Sequence, residues 1–186
     1  MGAGVVTAGA ARPLFGIYLF LAALWTGTLL FFALGAGIVL RMSPTRADGG
    51  TVNRALLDVV DVASLAAVGA LFALAVGLDR ARPWGPTARG LTLRLLAIAA
   101  VAAFVSLYLV TPEMVSLRQK AGAAFDLLPA GDPVRRAWGR LHGLSSLTLV
   151  VRLLCGTAVF FLGFSQAGKE AATPPPAVTA PPDSVS

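Results

Sequence analysis

Charge is scarce in this chain. Of its 186 residues only 13% are Asp, Glu, Lys or Arg, against the roughly 25% usual in soluble domains, while 56% are hydrophobic. A single cysteine, Cys155, excludes a disulfide within the chain and a metal cage built from cysteines. A single histidine, His142, excludes a haem held by two histidines of this chain. The methionines Met1, Met42 and Met114 are too scattered for a soft copper site. No cofactor and no metal are therefore expected. No G-x-S-x-G nucleophile elbow is present, and no enzyme activity is expected. The formal charge of +6 would suggest nucleic acid in a soluble protein, but the basic residues stand between long apolar runs rather than in one stripe. They read as loop anchors, and nucleic acid is not an expected partner.

What is present is a set of four long apolar runs. The first, residues 14–40, carries no charge and is closed by Arg41. At the helical rise it spans about 40 Å, enough to cross a bilayer with tilt. A secretory signal peptide would have an apolar stretch of roughly 7 to 15 residues behind a basic start, and only Arg12 precedes this longer run. A myristoylation site is not expected either, since Val6 stands where that motif needs Ser or Thr. The second run covers residues 55–78 and carries Asp58 and Asp61 near its start. The third covers 91–110, with Arg94 snorkelling to the interface. The fourth covers 144–164 and is interrupted by Arg152.

The expected fold is all-α, a polytopic membrane protein of four transmembrane helices in an up-down bundle over residues 14–164. A short segment, 1–13, precedes it. The tail, 165–186, is rich in Pro and Ala, cannot bury a core, and is expected to be disordered. Small residues at four-residue spacing, Ala33 and Gly37 or Gly69, Ala73 and Gly77, are expected to let helix backbones approach. In the long connection, residues 114–128 could form an interfacial amphipathic helix with Leu117, Phe125 and Leu128 toward lipid and Arg118 and Lys120 toward headgroups. The lipid bilayer is the expected partner, and the expected location is a membrane, the cytoplasmic membrane for a bacterial source. An even number of crossings puts both termini on one face. Six basic residues there against eight on the other leave the orientation open.

Folding the runs up and down gathers the ionisable groups into one half of the membrane. Asp58 and Asp61 enter the second helix from the same face on which Tyr108 leaves the third and His142, Ser145, Ser146 and Arg152 begin the fourth. A charge at mid-helix costs about 2.5 to 3.5 kcal/mol on insertion scales, so such residues pair or line water. Asp58 and Asp61, three apart, share a helix face, and Asp61 is expected to turn toward Arg152. The expected function is passage or binding of a small solute or ion through a polar half-cavity; the alternative is a non-catalytic membrane scaffold or assembly factor in which the buried ion pair is static and fixes helix register. His142 could shuttle a proton or bind a metal, or act as an interfacial hydrogen-bond donor. Ser145 and Ser146 beside it suggest a nucleophile only weakly, because Ser in a membrane helix commonly bonds a carbonyl one turn back. Four helices are few for a complete path, so a homodimer is a possible assembly.

Three segments carry a family likeness: Gly27-Thr28-Leu29-Leu30-Phe31-Phe32, then Tyr108-Leu109-Val110-Thr111-Pro112 followed by Arg118, then Leu141-His142-Gly143-Leu144-Ser145-Ser146. In order and spacing, residues 14–164 resemble the transmembrane protein 205-like family, a four-helix membrane domain of unknown function. The resemblance implies a membrane location and no established enzyme activity, makes transport or trafficking of solutes conceivable, and marks Gly27, Phe31, Phe32, Pro112, Arg118, His142, Gly143 and Ser145 as family-motif positions. Two departures stand out. The family's proline near the end of the first helix is replaced by Gly35-Ala36-Gly37, and Leu149 stands where an Asn commonly follows the His-Gly segment.

Overall fold

Apolar helices with no polar stop between them run to the nearest cap, and the caps here lie well outside the apolar runs. The computed structural model describes residues 8–81, 86–129 and 131–171. It consists of α1 (Ala8–Met42), α2 (Arg46–Ala81), α3 (Pro86–Phe104), a π-helical turn (Val105–Val110), α4 (Thr111–Ala121), a 3-10 turn (Gly122–Leu127) and α5 (Pro133–Ala171). No strand occurs among the described residues. Four stretches are long and apolar enough to cross a membrane: Pro13–Met42, Asp48–Leu78, Pro86–Ala121 and Pro133–Gln166.

The helices exceed the expected 14–40, 55–78, 91–110 and 144–164 for identifiable reasons. Ahead of α2, the Thr45 hydroxyl accepts the Asp48 backbone N–H (3.1 Å), the N-cap bond, and donates to the Asp48 carboxylate (2.8 Å). That starts the helix at Arg46 instead of Ala55. Ahead of α5, the Asp132 carboxylate accepts the Val134 N–H at 2.8 Å, and Pro133 occupies the first helical position, where its missing N–H costs nothing. That moves the start from Leu144 back to Pro133. At the far end α5 runs on to Ala171, into the segment expected to be disordered. The remaining tail, 172–186, and residues 1–7 lie outside the described residues.

The expected interfacial helix over 114–128 is not a separate element: residues 114–121 continue the third long helix, because α3, the π turn and α4 follow one another without a break, and 122–127 form the 3-10 turn after it. Pro112 explains the irregularity. A proline inside a helix lacks the N–H for the bond one turn back and crowds the carbonyl there. Widening the turn just before it relieves that clash, and the Thr111 N–H bonds the Ser106 carbonyl, five residues back.

Each crossing buries one stripe at alternating spacings of three and four: Phe15, Tyr18, Ala22, Trp25 and Leu29 on α1; Asp61, Ser64, Val68, Leu71, Ala75 and Leu78 on α2; Thr92, Leu96, Ala99, Ala103 and Ser106 on the third; Ser145, Thr148, Arg152, Cys155 and Val159 on α5. The helices stand in the cyclic order α1, α2, α3, α5, each packed on its two neighbours, so α2 and α5 face each other across the diagonal. The outer surface carries large apolar side chains, among them Phe20, Phe31, Val59, Phe104 and Phe161, as a lipid-facing surface should.

Close packing depends on small residues other than the expected ones. A Cβ on Gly69 or Gly77 would meet nothing within 4 Å, and Gly69, Ala73, Ala33 and Gly37 are exposed. A Cβ on Gly156 would stand 2.7 Å from Thr26 Oγ1, and one on Gly163 would stand 2.9 Å from the Tyr18 ring. At these two glycines, seven apart on α5, side chains of α1 fill the space that a Cβ would take.

Candidate functional site

Near the middle of the bundle, residues from all four crossings meet in one polar layer. Arg152 and Asp61 both have 0% relative exposure, so no water-sized sphere reaches either. Arg152 Nη1 lies 2.5 Å from Asp61 Oδ1, across the diagonal from α5 to α2. The same Nη1 donates to Ser64 Oγ at 3.4 Å, and Nε donates to the Thr148 carbonyl one turn back at 3.3 Å. From α1, the Trp25 indole N–H donates to Ser64 Oγ at 3.2 Å. From the π turn, Ser106 faces the Asp61 carboxylate. The diagonal pair is thus a short contact between opposite charges, with Ser64 at the guanidinium and Ser106 at the carboxylate. In this buried setting such attraction is screened less than between charges in water.

Local sequence explains how each part arrives. Asp61 and Ser64 are three apart, Thr148 and Arg152 four apart, so each pair stacks on one helix face. Gly156, one turn beyond Arg152, lets α1 approach with Trp25 against it. The Thr148 hydroxyl bonds back to the Ser145 carbonyl at 2.7 Å, which turns its polarity into its own helix and leaves its carbonyl for Arg152. Along the axis toward the termini, Val68, Leu71, Leu96, Ala99 and Val159 form a closed apolar layer, each no more than 4% exposed. Beyond it Tyr18 and Thr92, both fully buried, form a second polar contact between α1 and α3.

The expected cluster is therefore only partly assembled. Asp61 and Arg152 meet, and Ser145 is buried one turn before Thr148. Asp58 does not reach Arg152 and instead lies 3.9 Å from Arg54, four residues earlier on the same helix. Tyr108 is 56% exposed on the lipid side, its ring tilted against Phe104 at 4.7 Å. His142 is exposed and stacked on Trp138 at 5.2 Å, and Ser146 is exposed with its hydroxyl bonded to the His142 carbonyl. The reason is angular. Relative to Arg152, His142 and Ser146 stand about 80° and 120° round the helix, beyond the edge of the buried stripe. A half-cavity lined by Tyr108, His142 and Ser146 is not formed. The Ser–His arrangement is absent too, and the described residues hold no group of three His, Cys, Asp or Glu able to bind a metal.

Of the other family-motif positions, Gly27 and Phe31 lie on the outer face of α1, Phe32 packs against the core, and Pro112 and Gly143 are exposed. Arg118 lies over the Phe125 ring at 5.5 Å. Trp25, Ser64, Ser106, Tyr18 and Thr92 were not singled out by the sequence. Ser64 could have been, since it lies three residues after Asp61; the others carry no signal beyond being weakly polar in an apolar run.

The chain is an integral, multi-pass membrane protein of four crossings. No match was found among curated proteins or among solved structures. A family defined only as a domain of unknown function does match, from within α1 to the 3-10 turn after α4, a stretch that contains Trp25, Asp61, Ser64 and Ser106. On that match, over residues 20–123 and more than half of its length, the chain belongs to the DUF4149 family.

Proposed function

We propose that this DUF4149 member is a non-catalytic membrane scaffold or assembly factor whose charged layer is an internal brace. The observation that carries this reading is the closure of the Arg152–Asp61 pair, with 0% exposure for both and an apolar layer between it and the Tyr18–Thr92 contact. A path for a solute needs its charges to meet water or cargo; a brace needs only that they meet each other. On this reading the possible homodimer is not required for the brace, whose two charges belong to one chain.

The test is a double-mutant cycle with a flux assay. Arg152→Leu alone leaves Asp61 buried without its counter-charge and should cost about 3 to 5 kcal/mol of stability, and Asp61→Leu alone a similar amount. The double variant should recover most of that loss in thermal denaturation in detergent. Liposomes containing the wild type should admit small ions and fluorescent solutes no faster than empty ones. Flux in the wild type that disappears in the stable double variant would replace the brace with a path.

A further inference from the structure

Helix α5 projects 11 residues beyond its apolar run, from Pro133 to Gly143, and carries Arg135, Arg136 and Arg140 on that extension. These arginines differ in what they touch. Arg135 donates to the Leu128 carbonyl at the end of the preceding turn. Arg136 and Arg140 are exposed and have no acidic partner among the described residues. Of the acids on this side, Asp132 caps α5, Asp48 accepts the Thr45 hydroxyl at the start of α2, and Asp58 lies against Arg54, while Glu113 is exposed on α4 and forms no ion pair with either arginine among the described residues.

Arg136 and Arg140 are four apart and so share a face, with Gly139 and Gly143 beside and below them. Both glycines are exposed with open space where a side chain would be. Continuing down that face, Leu147 and Leu154 are 57% and 64% exposed. The strip thus reads, from the membrane surface inward, as two guanidinium groups, a bare glycine step, and an apolar track. Arg140 stands about 6 Å and Arg136 about 12 Å outside Leu144, at the depth of lipid headgroups. Trp138 and His142, stacked on each other on the far side of α5 with Trp138 edge-on to Phe125, mark the same interfacial level.

We infer that this face of α5 is a binding site for an anionic phospholipid. The two arginines hold the phosphate, the glycines admit the glycerol region against the helix backbone, and Leu147 and Leu154 receive an acyl chain. Guanidinium forks suit phosphate oxygens, and two uncompensated positive charges select a lipid of net negative charge over a zwitterionic one. The site is independent of the brace, since none of its residues touches Arg152 or Asp61.

The full chain in detergent, titrated with phosphatidylglycerol or phosphatidylcholine and read by native mass spectrometry, tests the inference. Phosphatidylglycerol should be retained in preference, and R136Q/R140Q should weaken its retention about tenfold or more with an unchanged circular dichroism spectrum. R94Q, which removes an exposed arginine from the other end of the bundle, should leave it as it was. Equal retention of the two lipids, or an equal loss in R94Q, would reduce the site to diffuse surface charge and overturn the proposal. Displacement of the lipid by millimolar inorganic phosphate would overturn it in favour of a free-anion site.

Discussion

Ser64 is a small side chain with a large role, because its hydroxyl accepts from both Trp25 and Arg152 and so ties α1, α2 and α5 at one point. Trp25→Phe keeps an aromatic ring but removes the N–H donor and part of the buried bicycle, and should cost about 1 to 3 kcal/mol in thermal denaturation. Ser64→Ala leaves two buried donors without their acceptor and should cost about 1 to 3 kcal/mol. Equal and negligible effects would show that the layer rests on the ion pair alone. Asp61 and Arg152 were legible in the sequence because a charge inside an apolar run has few other options than to find its opposite. Ser64 and Trp25 were not, since hydroxyls and indoles are ordinary in such runs and become a site only through neighbours from other helices. Tyr108 follows from depth alone, which fixes the leaflet but not whether a side chain faces the axis or the lipid, whereas His142 and Ser146 share about a third of the α5 circumference with Arg152, a face whose edge the other helices leave uncovered.

At the level of elements, four crossings and their order could be read directly, because runs of this length have no alternative in a bilayer. Their ends could not be read from hydropathy, although Thr45-x-x-Asp48 and Asp132-Pro133 are start signals written in the chain. The closest packing was also misplaced: spacing shows which small residues share a face, not which face meets another helix. Gly156→Leu should therefore lower the thermal midpoint strongly, because its side chain would have to displace Thr26, already tied to the Ala22 carbonyl, and the Trp25 ring. Gly69→Leu, toward open space, should leave it nearly unchanged. A similar drop in both would place a helix contact at Gly69. The π turn lay beyond a uniform wheel: it turns Ser106 and Thr111, five apart, toward the same interior, where a regular helix would set them far apart.

The whole molecule divides into a closed interior and two kinds of outer surface, one apolar and facing lipid, the other basic on the exposed start of α5. The diagonal course of the brace also sets an order of events during synthesis. Asp61 enters the bilayer with the second crossing, but Arg152 belongs to the fourth, and 88 residues separate Ser64 from Arg152. At about 5 to 20 residues per second, the carboxylate waits roughly 4 to 18 s for its counter-charge. Ribosome-bound chains that end before residue 152 should then hold the second crossing less firmly, with a cysteine at Ser64 open to a water-soluble thiol reagent. The same cysteine should become protected once α5 has emerged. Protection already present in the shorter chains would mean that lipid or a helper protein shelters Asp61 in the interval. The last crossing is thus the lock of this bundle, and a nascent chain stalled before it is a membrane protein with a charge still unanswered.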